Sequence, residues 1–100
     1  MSRPLEASEI ERQLQDLPGW QGDTTAITRS IEFPDFLTAI RGVDQIAQDA
    51  ESMNHHPDID IRWRTLHITL STHDVGGVSQ LDIELAHQIN TIAASLGAKP

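Results

Sequence analysis

Two hydrophobic periods alternate along the chain and predict its elements. Over "ASEIERQLQDLPGW", residues 7 to 20, Ile10, Leu14 and Leu17 recur at helical spacing. Ser8 followed by Glu11 reads as an S-x-x-E capping box, and Pro18-Gly19 stops the helix. The next stretch, "AITRSIEF", alternates instead. Ile27, Arg29 and Ile31 point one way, and Ala26, Thr28, Ser30 and Glu32 the other. That is a half-buried strand, with Trp20-Gln21 as its hairpin partner across a turn at Gly22-Asp23.

From Asp35 to Met53 the helical period returns. Phe36, Ile40, Val43, Ala47 and Ala50 make one face, and Leu37, Ile46 and Met53 widen it. A helix of that length is roughly 30 Å long. So broad a stripe in so small a domain leaves apolar surface for a partner subunit. The helix ends near His55, because a residue before proline is pushed out of the α region and His56 precedes Pro57.

"DIDIRW" and "LHITLSTH" then alternate as two strands with only Arg64-Thr65 between them. A turn there pairs Trp63 with Leu66, Ile61 with Ile68 and Ile59 with Leu70 on an apolar face. It pairs Arg62 with His67, Asp60 with Thr69, Asp58 with Ser71 and His56 with His73 on a polar one. A one-sided sheet requires this separation, and a one-residue slip destroys it. The last stretch, "SQLDIELAHQINTIAASLG", is a helix with Ser79 as N-cap and Asp82 at the third position. Leu81, Leu85, Ile89, Ile92 and Leu96 form its stripe, and Gly97 supplies the stop. The order α-β-β-α-β-β-α predicts an α+β fold, a four-stranded antiparallel sheet with three helices on one face.

Composition narrows the class. A chain of 100 residues makes one domain, 1–100, with a thin core that is 38% apolar by composition and poor in aromatics. Domains this small often gain stability by association. A net charge of −8, with the seven Lys and Arg scattered, argues against a nucleic-acid partner. The absence of cysteine excludes disulfides, thiolate metal sites and Cys nucleophiles, and a cytoplasmic location is the simplest expectation. No segment reaches the roughly 20 apolar residues of a membrane span. Met1-Ser2-Arg3-Pro4 does not open a signal peptide. No membrane partner is expected.

The chemistry concentrates in histidines. The expected register sets His56 opposite His73 with Cα atoms about 4.5–5.5 Å apart, and His55 is next door. Three of the five histidines therefore converge at one sheet corner. His67 lies roughly 20 Å along the strand, and His87 sits on the last helix. Glu51, one turn before His55, can reach and orient it. His55, His56, His73 and Glu51 offer donor atoms for zinc or iron, but adjacent residues seldom point to one centre. Ser71 and Thr72 lie beside His73 without a Ser-His-Asp layout. Asp82 reads as a helix cap, Trp63 as the apolar end of its strand, and Gly76-Gly77 as a flexible turn or a phosphate cradle. Acid–base chemistry fits best, since an ordinary imidazole titrates at roughly pH 6.5.

Glu51-x-x-x-His55-His56-Pro57, followed after five residues by Trp63, after nine by His73 and after eight by Asp82, resembles the signature of the pterin-4a-carbinolamine dehydratases. "HITLSTHD" and Gly19-Trp20 resemble that family too, and the likeness covers nearly the whole chain. Asp58 to Arg62 is less aromatic than in the animal members. The resemblance implies a dehydratase that removes water from a 4a-hydroxytetrahydropterin to give a quinonoid dihydropterin, a step of tetrahydropterin recycling. His55, His56 and His73 would carry acid–base catalysis. Glu51, Pro57, Trp63, Ser71, Thr72 and Asp82 would bind substrate or support the histidines. No metal and no cofactor are implied. The family also implies a homodimer or homotetramer, with sheets joined between subunits and long helices packed together. Some relatives serve instead as helix-mediated interaction or assembly proteins. The complete histidine set argues against an eroded site of that kind.

Overall fold

The computed structural model describes residues 3–100. Its elements are α1 (Ala7–Leu14), β1 (Gln21–Gly22), β2 (Ile27–Glu32), α2 (Phe36–Met53), β3 (Asp58–Arg62), β4 (Thr65–Leu70), a 3-10 turn at His73–Val75, and α3 (Gln80–Ser95). The strands form one antiparallel sheet in the order β1-β2-β4-β3. This is the expected α+β architecture. Leu66, Ile68 and Leu70 of β4 are buried while His67 between them is exposed, the alternation of a sheet covered on one side. Ile27 and Ile31 of β2 join them, and α2 and α3 pack over that layer through Ile46, Ile83, Leu85 and Ile89. Ile10 of α1 and Leu17 behind it close the end of the core.

Helix ends follow local chemistry. Asp35 Oδ1 accepts from the Thr38 amide at 2.7 Å and starts α2. Ser79 caps α3 in a reciprocal box with Asp82, as the sequence predicts. The box of α1 is Glu6 with Glu9, two residues before the expected Ser8 and Glu11. Glu9 is drawn there by the Glu6 amide at 3.0 Å and by Arg3, a cation that the S-x-x-E pattern ignores.

The core face of α2 also differs from the expected stripe. Ala39, Gly42, Ile46 and Ala50 are buried, whereas Phe36, Leu37 and Ile40 are 46%, 69% and 37% exposed. Gly42 decides this orientation. A methyl group there would stand 2.8 Å from Cζ of the buried Phe33, so the ring fills the space against the helix backbone. The larger residues are left on the outside.

The β3–β4 hairpin pairs two residues away from the expected register. Ile61 faces Leu66, Ile59 faces Ile68, Asp60 faces His67 and Asp58 faces Thr69. The turn is Trp63-Arg64, not Arg64-Thr65. A two-residue shift leaves each side chain on its original face, so the apolar/polar split cannot distinguish the registers. Trp63, counted inward in the expected pairing, takes a left-handed conformation (φ 55°) and is 72% exposed under the Arg64 guanidinium. Among the described residues, no helix is long and apolar enough to cross a membrane.

Candidate functional site

The site begins where α2 stops. Asn54 is left-handed (φ 50°), its amide donating to the Glu51 carbonyl at 3.1 Å while the His55 amide donates to the Ala50 carbonyl at 3.0 Å. This paired reversal ends the helix and changes the direction of the chain. Consecutive side chains then diverge. His55 turns inward and is 8% exposed, while His56 faces outward.

The second wall follows β4. Thr72 and Gly77 bridge through both amides, at 2.9 and 3.3 Å, and hold residues 73–76 as a small closed loop. His73 lies on that loop, outside β4, so His56 and His73 are not a strand pair as the expected register had it. The loop is strapped to the β1–β2 connection. The Val78 amide donates to the Thr24 carbonyl at 2.9 Å, and Ser71 Oγ donates to the Thr25 carbonyl at 2.8 Å. Gly77 permits the approach, since a Cβ there would stand 2.4 Å from the Thr24 oxygen. Gly76-Gly77 therefore closes the loop.

Asn54, His55, His56, Ser71, Thr72, His73 and Asp74 line one hollow of about 200 Å³. The three histidines meet there, although by loop closure and not by strand pairing. Their carboxylate partners also differ from expectation. Glu51 Oε2 bonds His56 Nε2 at 2.5 Å, not His55, and both groups are largely exposed. His55 Nε2 bonds Asp82 Oδ1 at 2.5 Å, and Asp82 is fully buried in the first turn of α3. Asp82 Oδ2 accepts from Thr72 Oγ1 at 2.8 Å and from the Ser79 amide at 2.9 Å. Asp82 is thus a cap and a histidine partner at once.

Pro57 directly follows His56 and leads into β3. Trp63 does not reach the hollow: it stands at the far end of β3, five positions beyond Asp58. His67 is tied to Ser30 across the sheet by a 2.7 Å bond from Nδ1, and His87 is exposed on α3. Asn54, Asp74 and Ser79 belong to the site or its support and were not among the expected site residues. Asn one position past a helix is a readable left-handed stop. Nothing in the sequence ties the Ser79 hydroxyl to Thr72. Among the described residues, no group of three or more His, Asp or Glu is arranged to hold a metal ion.

Comparison with known proteins covers most of the chain. The family described as pterin 4 alpha carbinolamine dehydratase matches residues 3–92. The chain belongs to the pterin-4a-carbinolamine dehydratase family. A relative from Mycobacterium avium, provisionally named pterin-4-alpha-carbinolamine dehydratase, is 48% identical over 91% of this chain and 97% of its own. A relative of the same name from Nocardia farcinica is 48% identical over 89% of this chain and 94% of its own. The crystal structure of a Brucella melitensis protein titled transcriptional coactivator/pterin dehydratase superposes with a TM-score of 0.88 at 41% identity, over 91% of this chain and 99% of that one. A pterin dehydratase-like protein identified as a RuBisCO assembly factor has a TM-score of 0.61 at 20% identity over 74% of this chain and 86% of that one, and shares the fold. The pterin-4a-carbinolamine dehydratase family is one of enzymes, and the dehydratase expectation is met at that level.

Proposed function

We propose that this chain, acting as a single domain in the cytoplasm, dehydrates a 4a-hydroxytetrahydropterin to a quinonoid dihydropterin in tetrahydropterin recycling. The observation that carries the reading is the meeting of three imidazoles around one hollow, two of them held by separate carboxylates. The reaction breaks the bond from C4a to the hydroxyl oxygen. One imidazolium protonates the departing hydroxyl, which leaves as water. A neutral imidazole takes the ring N–H proton, and the electron pair forms the new C=N bond. Proton exchange between the imidazoles and solvent then restores both, so no proton is gained or lost. Imidazole titrates close to neutrality and can serve on either side of this exchange. His55, His56 and His73 are the catalytic set. Glu51 and Asp82 orient two of them, Ser71 and Thr72 shape the hollow, Pro57 fixes the chain direction just after His56, and the reading needs neither metal nor cofactor. The test is stopped-flow absorbance of 4a-hydroxytetrahydropterin decay with and without the protein. Decay no faster than the spontaneous rate would reject it.

A second reading concerns the outer face of α2. Phe36, Leu37 and Ile40 form an exposed apolar patch on a helix whose opposite face is already packed. This favours helix-to-helix association, as a homodimer or homotetramer or with another helical protein. Light scattering at micromolar concentration tests it, and a monomer alone would contradict self-association.

A further inference from the structure

Asp82 is wholly buried, and three donors surround it. The Ser79 amide can only donate to Oδ2. Thr72 Oγ1 gives its single proton to the same oxygen at 2.8 Å. Its 2.7 Å contact with Ser79 Oγ must then be one in which Ser79 donates. Ser79 Oγ in turn accepts from the Leu81 amide at 3.3 Å. The direction of the hydroxyl protons is therefore set from the cap of α3 towards the carboxylate. Asp82 is an acceptor at Oδ2 twice over, and it lies in the first helical turn, where peptide dipoles favour a carboxylate. The group facing Oδ1 has to supply the proton, and that group is His55 Nε2.

The other ring nitrogen is placed differently. Among the described residues, every buried side-chain nitrogen or oxygen has a hydrogen-bond partner. The His55 ring makes one hydrogen bond among the described residues, at Nε2. Nδ1 is therefore not sealed in the core, and His55 is one of the residues that line the hollow.

We propose that Ser79 and Thr72 are positioning residues. Their hydroxyl relay holds His55 as the Nε2–H tautomer and presents the Nδ1 lone pair to the hollow as a proton acceptor. The role of the lone pair rests on the dehydratase reading, but the tautomer does not. Thr72 also couples the two walls of the site, because its backbone closes the His73 loop while its hydroxyl acts on His55 through Asp82.

Long-range proton–nitrogen NMR on the full chain with 15N-labelled histidine reads the tautomer directly, above the pH at which imidazole titrates. The wild-type His55 ring is expected to carry its proton on Nε2. Thr72→Val removes the middle hydroxyl. Ser79→Gly removes the first while keeping most of the capping preference. Both variants should give a mixed tautomer and lower kcat by about 10–100-fold, the usual effect of losing an orienting partner, with KM little changed. Thr72→Ser and Ser79→Thr, which keep the hydroxyls, should restore both readouts. A wild-type ring protonated on Nδ1 overturns the proposal, and so does an Nε2–H tautomer that survives in both hydroxyl-deleted variants. The expected tautomers in a protein without dehydratase activity would uphold the relay and remove the dehydratase reading.

Discussion

His55 and Asp82 stand 27 positions apart in the chain and meet at 2.5 Å, with the carboxylate completely out of solvent. Asp82→Ala would leave the His55 ring, the Thr72 hydroxyl and the Ser79 amide without their common acceptor. Each buried donor left without its acceptor typically costs about 1–3 kcal/mol. The urea midpoint should fall accordingly, and catalysis should be lost with it. An unchanged midpoint would mean that the pair does not form in solution.

His56→Ala and His73→Ala should slow dehydration towards the spontaneous rate. Positioned acids and bases contribute about 10²–10⁴-fold. Neither residue is in the core, so both variants should keep a cooperative thermal transition. His67→Ala and His87→Ala lie away from the hollow and should retain activity. Equal losses in all four variants, measured by stopped flow, would contradict the assignment.

Gly42→Ala sets two effects against each other. Alanine is favoured over glycine inside a helix by about 1 kcal/mol. The new methyl group, however, would stand 2.8 Å from a Phe33 ring that is itself buried. Overpacking of this kind typically costs about 1–3 kcal/mol. The net expectation is a lower melting temperature with the catalytic rate preserved. A higher melting temperature would show that Phe33 moves aside easily.

The N-terminal ion pair gives a pH signature. The Arg3 guanidinium, and then the Glu6 amide, hold the Glu9 carboxyl down at about 2, against an ordinary 4.5. An acid depressed by folding stabilises the folded state fully above its unfolded value. That contribution disappears as pH falls from 4.5 through about 2. Glu9→Gln should flatten the dependence of melting temperature on pH in that window and leave it unaltered near neutrality. The pair lies at the surface, so the effect should be small and should weaken in salt. Identical pH profiles for the two proteins would show that the pair contributes nothing.

Legibility in the sequence depended on how local each determinant is. Ser79 with Asp82 marks a helix start that needs only four residues to form, and it was readable. The hairpin register was not. Alternation has a period of two, so Ile61 satisfies it equally well against Leu66 or Ile68, and the choice falls to the Trp63 turn. The buried face of α2 was misread because Phe36 and Ile40 outweigh Gly42 on any apolar scale, while Phe33 from outside the helix decides the packing. The histidines were readable as a group. Which carboxylate serves which ring was not, because it follows from the left-handed Asn54, which turns His55 in and His56 out.

The His55–Asp82 bond also constrains the order in which the protein can be made. The residues between its ends include the whole β3–β4 hairpin and the His73 loop. A nascent chain synthesised only as far as Val75 holds all three histidines of the hollow but has no carboxylate to orient the inner one. Closing so long a segment carries a loop entropy that only the docked α3 can offset. The geometry of the hollow should therefore emerge with the final collapse of the domain, and a ribosome-bound fragment that stops short of α3 should bind no pterin if the proposed function holds.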